Sequence, residues 1–260
     1  MSLMFIDYKG NDYLDFKMSN ILISFIAIIT LFFTSLMPYG YASVVMTGTR
    51  IIYYEGMKDK TIQLSNNDIH PNIIQVWLEN SDKNSTTEMT ETPFIVNPQI
   101  FRIEAKSGQI IRLMWVDDNL PKDRESLFYF NFSQVPAFNE QQHQANKLVL
   151  LFNTRIKIFY RPKNLLGDIN QLADKLIFRQ NNEQIIVENP TGYYAVVHSA
   201  TLISNSQSFK LADSIMLSPK TTTQWKLPRA INRNAKNTIR LTLLNDYGVD
   251  VVTELPLSAQ

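Results

Sequence analysis

The stretch KLVLLFNTRIKIFYRP, residues 147–162, predicts a β-strand that is apolar on both faces at its beginning. Successive side chains of a strand point to opposite faces, so Leu148, Leu150 and Phe152 share one face. The opposite face carries two further apolar side chains, which we expect to serve the core of the domain: Val149 and Leu151. A strand of this kind needs an apolar partner on each side.

The second half of the same stretch becomes polar. Asn153, Arg155 and Lys157 interrupt the apolar pattern, and Lys157 shares its face with Val149 and Leu151. One apolar partner of the strand is the sandwich to which it belongs. The other is either a second sheet of this protein or a guest chain, and the pattern leaves both alternatives open.

Outward from this stretch, short strand-like runs recur with turn residues between them, at the spacing of roughly 8–12 residues that is typical of sandwiches. The first run, Val44–Tyr54, is predicted as one strand, and a later one is predicted over Ser214–Leu217. Helical periodicity is weak, and only residues 168–174 could hold one or two helical turns. The sequence therefore predicts an all-β fold of two antiparallel sandwiches.

The boundary between the two sandwiches is predicted at Pro162. Proline has no amide hydrogen for a sheet ladder, so it ends the long strand, and a polar connector follows. The predicted domains are residues 43–162 and 163–260, and each has an ordinary size for a sandwich.

The composition excludes several kinds of site. The 260 residues include 25 basic and 24 acidic side chains, so a formal charge of +1 gives no general attraction to nucleic acid. Cysteine is absent, which removes disulfides, thiol nucleophiles and thiolate-bound zinc. His70, His143 and His198 stand far apart in the sequence, so we expect no metal site and no cofactor.

An enzymatic function is not expected either. The sequence contains no nucleophile elbow, no P-loop and no GxGxxG motif, and no catalytic residue is assigned. Asp117, Asp118 and Asp123 cluster in the sequence, but a solvated turn before a strand is the simpler interpretation.

The N-terminal segment, residues 1–42, is predicted to contain a secretory signal peptide. No charged residue occurs in residues 18–49, and the segment from Ile21 to Met37 is almost continuously apolar. Gly40 and Ala42 provide the small residues that a signal peptidase requires, so we expect cleavage after Ala42. An uncleaved membrane anchor is the alternative.

The first 17 residues do not resemble a signal sequence. They carry Asp7, Asp12 and Asp15 where a basic segment is usual, so translation could begin at Met18 and residues 1–17 could be a misassigned extension.

Five stretches, in order along residues 43–256, resemble the periplasmic pilus-assembly chaperones of the chaperone–usher pathway, the PapD-like family. They are Gly48–Tyr53 (GTRIIY), Leu120–Asn131 (LPKDRESLFYFN) followed by Val135-Pro136, Ile156–Pro162 (IKIFYRP), Glu188–Tyr194 (ENPTGYY) and Leu244–Gly248 (LNDYG). No single motif is decisive, but five in the right order are specific to the family.

The resemblance implies two immunoglobulin-like sandwiches set in an L, and a chaperone rather than an enzyme. Such a protein binds and caps pilus subunits in the periplasm by donating its seventh strand, and delivers them to an outer-membrane usher. Pairing of chaperone and pilin is a known example of strand addition, in which backbone hydrogen bonds and alternate side chains hold the partner. An exposed apolar strand also makes a self-capping homodimer plausible.

The resemblance also implies roles for individual residues. Two basic residues would hold the C-terminal carboxylate of the subunit: Arg50 and Lys157. Three apolar residues of the donated strand would fill the groove of the subunit: Leu148, Leu150 and Phe152. A buried charged trio would fix the angle between the domains: Glu125, Arg161 and Asp246.

A secreted two-domain adhesin or a carbohydrate-binding protein is the alternative function. Exposed tryptophan stripes would favour carbohydrate binding, but Trp77, Trp115 and Trp225 belong to separate predicted strands and are expected in the core.

Overall fold

The computed structural model describes residues 44–81, 92–116, 119–137, 151–181, 184–205, 207–227 and 237–259, and two helical residues nearer the N-terminus, Phe25 and Thr30. Apart from those two residues, the predicted signal peptide lies outside the described part of the chain, as does the cleavage site after Ala42. Within the described residues, no helix has both the length and the apolar character needed to cross a membrane.

The first sandwich comprises two sheets, in which one described pair of strands is parallel and the others are antiparallel. Its strands are β1 (Val44–Met46), β2 (Arg50–Tyr54), β3 (Lys60–Asn66), β4 (Asn72–Asn80), β5 (Phe94–Asn97), β6 (Ile100–Ile103), β7 (Gly108–Trp115), β8 (Ser126–Pro136) and β9 (Phe152–Arg161). One sheet has the order β1-β3-β7-β5 and the other β2-β9-β8-β4-β6. Alternate side chains of both sheets form the core, among them the fully buried Leu64, Ile111, Phe130 and Ile158.

The second sandwich follows a short helical connection. A 3₁₀ turn (Ile169–Gln171) leads into α1 (Leu172–Lys175), as the sequence predicted for this segment. The strands are β10 (Ile177–Asn181), β11 (Gln184–Asn189), β12 (Ala195–Ser204), β13 (Gln207–Leu217), β14 (Thr221–Lys226), β15 (Thr238–Leu244), β16 (Asp250–Pro256) and β17 (Ser258–Ala259). They form sheets of order β14-β11-β10-β17 and β13-β12-β15-β16 around a second core. The predicted all-β fold of two sandwiches is confirmed.

The first strand changes sheet, which the sequence did not indicate. Residues 44–54 were expected to form one strand, but β1 pairs with β3 in one sheet and β2 pairs with β9 in the other. The chain turns between them at Gly48, whose φ of 93° favours glycine. A continuous run of β-forming residues therefore hides a crossing between the two layers.

Strand β13 is longer than predicted. It begins at Gln207 rather than at Ser214. The sequence pattern missed its first half because two irregularities interrupt the side-chain alternation. The register with β12 shifts after Ala200, and Ser214 adopts a φ of 49°. An alternation that breaks twice within one strand gives only a weak sequence signal.

Strand β9 is paired along all but its last residue on one side and along half of its length on the other. Strand β8 is antiparallel to it from Phe152 to Tyr160. Strand β2 is parallel to it, but contacts only Lys157–Arg161. Within the described residues, positions 152–156 therefore present a free strand edge.

The turn between β15 and β16 packs against the first sandwich. Gly248 lies in this turn with a φ of 77°, and a methyl group added there would collide with the hydroxyl of Thr49, next to Arg50. The side chain of Asn245 accepts hydrogen bonds from the backbone amides of Tyr247 and Val249, at 3.0 Å each. This turn is therefore both preorganised and closely packed.

We predict that Gly248→Ala destabilises the protein by more than the roughly 1–2 kcal/mol that a left-handed backbone alone costs an alanine. Gly167→Ala should show the backbone cost without a collision, because its φ is 92° and nothing lies within 4 Å of an added methyl group. Gly108→Ala should be close to neutral. Urea unfolding of the three variants measures the order, and equal losses for Gly248 and Gly167 would contradict the close packing.

Candidate functional site

The structure places Arg50 and Lys157 side by side. They are direct partners in the parallel register of β2 and β9, so their side chains project from the same face of the sheet. The alternate residues of β9, Ile158 and Tyr160, face the first core, whereas Lys157 and Phe159 lie on the opposite face. Both cations therefore project away from the core of the first sandwich, and Arg50 reaches the second.

The surroundings of these two cations favour an incoming anion. Arg50 Nη1 donates a hydrogen bond to the carbonyl oxygen of Leu244 at 3.2 Å, while its buried Nε finds no partner in the described part of the chain. Burial lowers the pKa of Arg50, an effect that the charge of Asp246 opposes. Burial also lowers the pKa of Lys157, and the charges of Arg50 and Arg155 lower it further.

Neither cation forms an ion pair with any residue that the structure describes. Two partly desolvated like charges in adjacent register positions repel each other, and one carboxylate between them would relieve this cost. The arrangement can therefore bind a carboxylate group.

A cavity of about 400 Å³ opens beside Arg50, between the two sandwiches. Its walls include Phe159 from the first sandwich and Tyr194, Leu243 and Val251 from the second. The cavity therefore has a cationic group, Arg50, beside an apolar wall.

Arg161 links the sandwiches through two carboxylates. Its Nε donates to Glu125 Oε1 at 2.6 Å, and its Nη1 and Nη2 donate to the two carboxylate oxygens of Asp246 at 2.6 and 2.9 Å. Glu125 accepts a further hydrogen bond, of 2.8 Å, from the backbone amide of Tyr194. The predicted trio is therefore brought together, and its role in fixing the domain angle stays a prediction.

The charges within this trio affect the pKa values of Arg161 and Glu125. Burial alone would lower the pKa of Arg161, but the hydrogen bonds and charges of Asp246 and Glu125 outweigh it and raise that pKa above its ordinary value. Burial raises the pKa of the Glu125 carboxyl, against the opposing charge of Arg161. The guanidinium also lies between two aromatic rings, 5.5 Å from Tyr54 and 5.2 Å from Tyr193.

Apolar packing adds to the junction. Ile52, Leu127 and Phe159 form a small buried cluster, against which Tyr194 and neighbouring residues of the second sandwich pack. The rings of Phe159 and Tyr194 are 5.6 Å apart.

Asp123 also contributes to this junction, which sequence reasoning missed. Its carboxylate forms an ion pair with Lys220 of the second sandwich, and the hydrogen bonds from Lys220 and Arg124 lower its pKa to about 2. The sequence assigned Asp123 to a solvated turn. No sequence signal connects two residues that lie so far apart in the chain.

The structure describes only one of the three predicted donor residues. Phe152 is 57 % exposed at the start of β9, on the face that carries Ile156 and Ile158 toward the core. Leu148 and Leu150 lie outside the described residues. Leu151, expected to serve the core, is 59 % exposed, so that expectation is wrong. Its side of the strand is the side that faces away from the core.

Two further observations concern possible metal ligands and the tryptophan side chains. No group of three or more potential metal ligands occurs among them. Trp225 is buried in the second core and Trp115 packs against the first, as the sequence predicted for these two side chains. The same expectation is wrong for Trp77, which belongs to neither core: it alternates along β4 with the buried Val76, and its indole Nε1 donates a hydrogen bond to Glu79.

We predict that Asp246→Asn lowers the free energy of unfolding by roughly 1.5–3 kcal/mol, the range for hydrogen bonds to a charged group. The substitution removes the charge but keeps the shape, so packing is preserved. Asp213→Asn is the matched control, because Asp213 pairs with Lys210 in an exposed position and should be close to neutral. Urea unfolding compares the stability of the two variants, and small-angle scattering reports the angle between the sandwiches. Equal stability of the two variants would argue against a stabilising contribution of the trio.

Family models match almost the whole described chain. The model described as pili and flagellar-assembly chaperone, PapD N-terminal domain, matches residues 43–166, and the model for the PapD C-terminal domain of pili assembly chaperones matches residues 171–255.

Individual relatives agree with these matches. The chaperone protein HifB of Haemophilus influenzae is 33 % identical over 225 residues, which cover 85 % of this chain and 90 % of HifB. The probable fimbrial chaperone YadV of Escherichia coli is 35 % identical over 215 residues, or 80 % of this chain and 87 % of YadV.

Solved structures share the fold. A crystal structure of the YadV chaperone superposes with a TM-score of 0.69 at 31 % identity, covering 83 % of this chain and 100 % of that one. The SafB chaperone of Salmonella enterica, solved in complex with the SafA pilin, has the same TM-score at 24 % identity and covers 85 % of this chain and 99 % of its own. The chain belongs to the PapD-like family of pilus-assembly chaperones.

Proposed function

We propose that this chaperone completes an unfinished pilus subunit with β9 and the residues that precede it, while Arg50 and Lys157 hold the terminal carboxylate of the subunit. The single observation that carries the proposal is where β2 begins. Its first residue, Arg50, pairs with Lys157, and the edge of β9 before that point is free within the described residues.

The cationic pair next to the free edge of β9 favours one direction of the guest strand. A guest on residues 152–156 of β9 would lie in line with β2. If it runs parallel to β9, as β2 does, its C-terminal end meets Arg50 and Lys157. A carboxylate is what a chain presents at that end, so the two cations fit the end of a parallel guest strand.

Phe152 and the apolar residues that precede it in the sequence supply the second part of the interaction. Leu148, Leu150 and Phe152 would enter the open groove of the subunit, and each side chain could contribute roughly 1.5–3 kcal/mol before ordering costs. The fixed carboxylate sets the register, because a slip of one residue would turn all three side chains to the opposite face.

The same proposal places the protein in the periplasm. The segment of residues 1–42 supports export with cleavage after Ala42, and delivery of the subunit to an outer-membrane usher follows from the family. The family model and the relatives are chaperones, which agrees with a chaperone function for this protein. The free edge of β9 and the exposed Phe152 also support a self-capping homodimer when no subunit is bound.

We predict that Arg50→Ala and Lys157→Ala each abolish retention of the subunit without unfolding the chaperone. Removing one cation leaves a partly buried carboxylate underpaired, at a cost of about 2–5 kcal/mol. Co-expression with subunits from the same gene cluster, followed by purification from the periplasm, measures the retained subunit. Arg102→Ala is a control, because Arg102 is an exposed cation on a different strand.

A peptide that copies the last strand of the subunit separates the carboxylate from the rest of the contact. Wild-type chaperone should prefer the free acid over the C-terminal amide, and Lys157→Ala should lose this preference. Normal retention by both variants, or no preference in the wild type, would remove the anchor from the proposal.

We predict that Leu150→Glu weakens subunit capture strongly, because it places an unpaired charge against an apolar groove. Leu151→Glu is the matched control on the opposite face of the strand, where the side chain is already exposed, and its effect should be much smaller. Subunit yield in the periplasm compares the two variants. Equal losses would argue against donation of one specific face.

A further inference from the structure

Four side chains form one row across the outer face of the first sandwich. Glu79 of β4 pairs with Tyr129 of β8, Tyr129 pairs with Lys157 of β9, and Lys157 pairs with Arg50 of β2. Neighbouring strands lie about 4.8 Å apart, so Glu79 and Lys157 are separated by roughly 10 Å of backbone. Long side chains can bridge that distance, which makes Glu79 an internal competitor for the ammonium group of Lys157.

Other partners hold the carboxylate of Glu79 in the structure. Its Oε1 accepts a hydrogen bond of 3.0 Å from the indole Nε1 of Trp77. Its Oε2 lies 3.0 Å from Nη2 of Arg155. Each carboxylate oxygen therefore has a donor that is not Lys157.

Arg155 also occupies the space between the carboxylate and the anchor. Its guanidinium carbon lies 3.7 Å from the centre of the Tyr129 ring, and Tyr129 is the residue that separates Glu79 from Lys157 in the row. The side chain of Arg155 thus crosses the aromatic ring to reach Glu79. Stacking on the ring restricts the guanidinium to this position.

We propose that Arg155 is a positioning residue that keeps Glu79 from neutralising Lys157, so that the ammonium group stays free for the carboxylate of a subunit. The proposal rests on the anchor role of Lys157 given above. Trp77 assists by holding the second oxygen of Glu79, and Tyr129 provides the surface on which Arg155 lies. Without Arg155, Glu79 would turn across Tyr129 and pair with Lys157 inside the chaperone itself.

The first experiment tests this contact without any subunit. The pKa of Lys157 is measured by NMR in the wild type, Glu79→Gln, Arg155→Ala and the double variant. In the Arg155→Ala background, Glu79→Gln should lower the Lys157 pKa by about one unit, because it removes a direct carboxylate partner. In the presence of Arg155, the same substitution should cause a clearly smaller shift.

The proposal is tested by the difference between the two Lys157 pKa shifts, measured with and without Arg155. Equal shifts would show that Arg155 does not separate Glu79 from Lys157, and would overturn the proposal. A merely structural role of Arg155 would not create this dependence, and unchanged backbone amide spectra confirm that the variants are folded.

The second experiment measures function by co-purification of the subunit. Arg155→Ala should reduce the retained subunit several-fold, and adding Glu79→Gln should restore it to near the wild-type amount. Arg102→Ala is the matched control, since Arg102 forms an exposed ion pair with Glu104 at 2.8 Å on a different strand. A loss that Glu79→Gln does not restore would contradict the proposal.

The two experiments separate this inference from the function on which it rests. If Arg50→Ala and Lys157→Ala retain the subunit normally, the anchor is wrong. The NMR measurement would still decide whether Arg155 keeps Glu79 away from Lys157.

Discussion

The parallel pairing of β2 with β9 is the contact on which the rest of the site depends. It places Arg50 opposite Lys157, and it covers only the second half of β9. One pairing therefore creates the cationic pair and the free edge beside it. In the function proposed above, a guest strand in line with β2 and parallel to β9 would end at this cationic pair. The split of the first strand at Gly48 is what makes β2 available for this purpose.

The junction between the sandwiches supports this arrangement. Arg161 lies on the same face of β9 as Lys157, and its two carboxylate partners come from different sandwiches. Leu244, at the end of β15, accepts a hydrogen bond from Arg50. The orientation of the Arg50 side chain is therefore tied to the packing of the second sandwich. A buried ionic group is a poor source of net stability, and the role predicted for this trio is instead to fix one geometry between the two sandwiches.

Much of the architecture could be predicted from the sequence, because alternation, turn residues and Pro162 act locally. The pairing of Arg50 with Lys157 could not, since a single basic residue in a strand usually indicates a solvated charge. Its assignment came from resemblance to a family. The contacts of Arg155 had no signal at all: Glu79, Tyr129 and Arg155 lie on three strands, and only the register brings them together. The prediction for Leu151 was wrong for a different reason: alternation defines two faces of a strand, but it does not show which face points toward the core.

The half-covered strand has a consequence for how the chaperone itself matures. Strands β2 and β9 lie at opposite ends of the first sandwich in sequence, so their parallel contact is non-local and closes a long segment of chain. Such contacts are entropically costly and form late in many folding reactions. The guest site proposed for β9 therefore exists only once the domain is complete. A newly synthesised or damaged molecule, in which these two strands are not yet paired, would lack the proposed site, so the topology of the chain ties subunit binding to a completely folded domain.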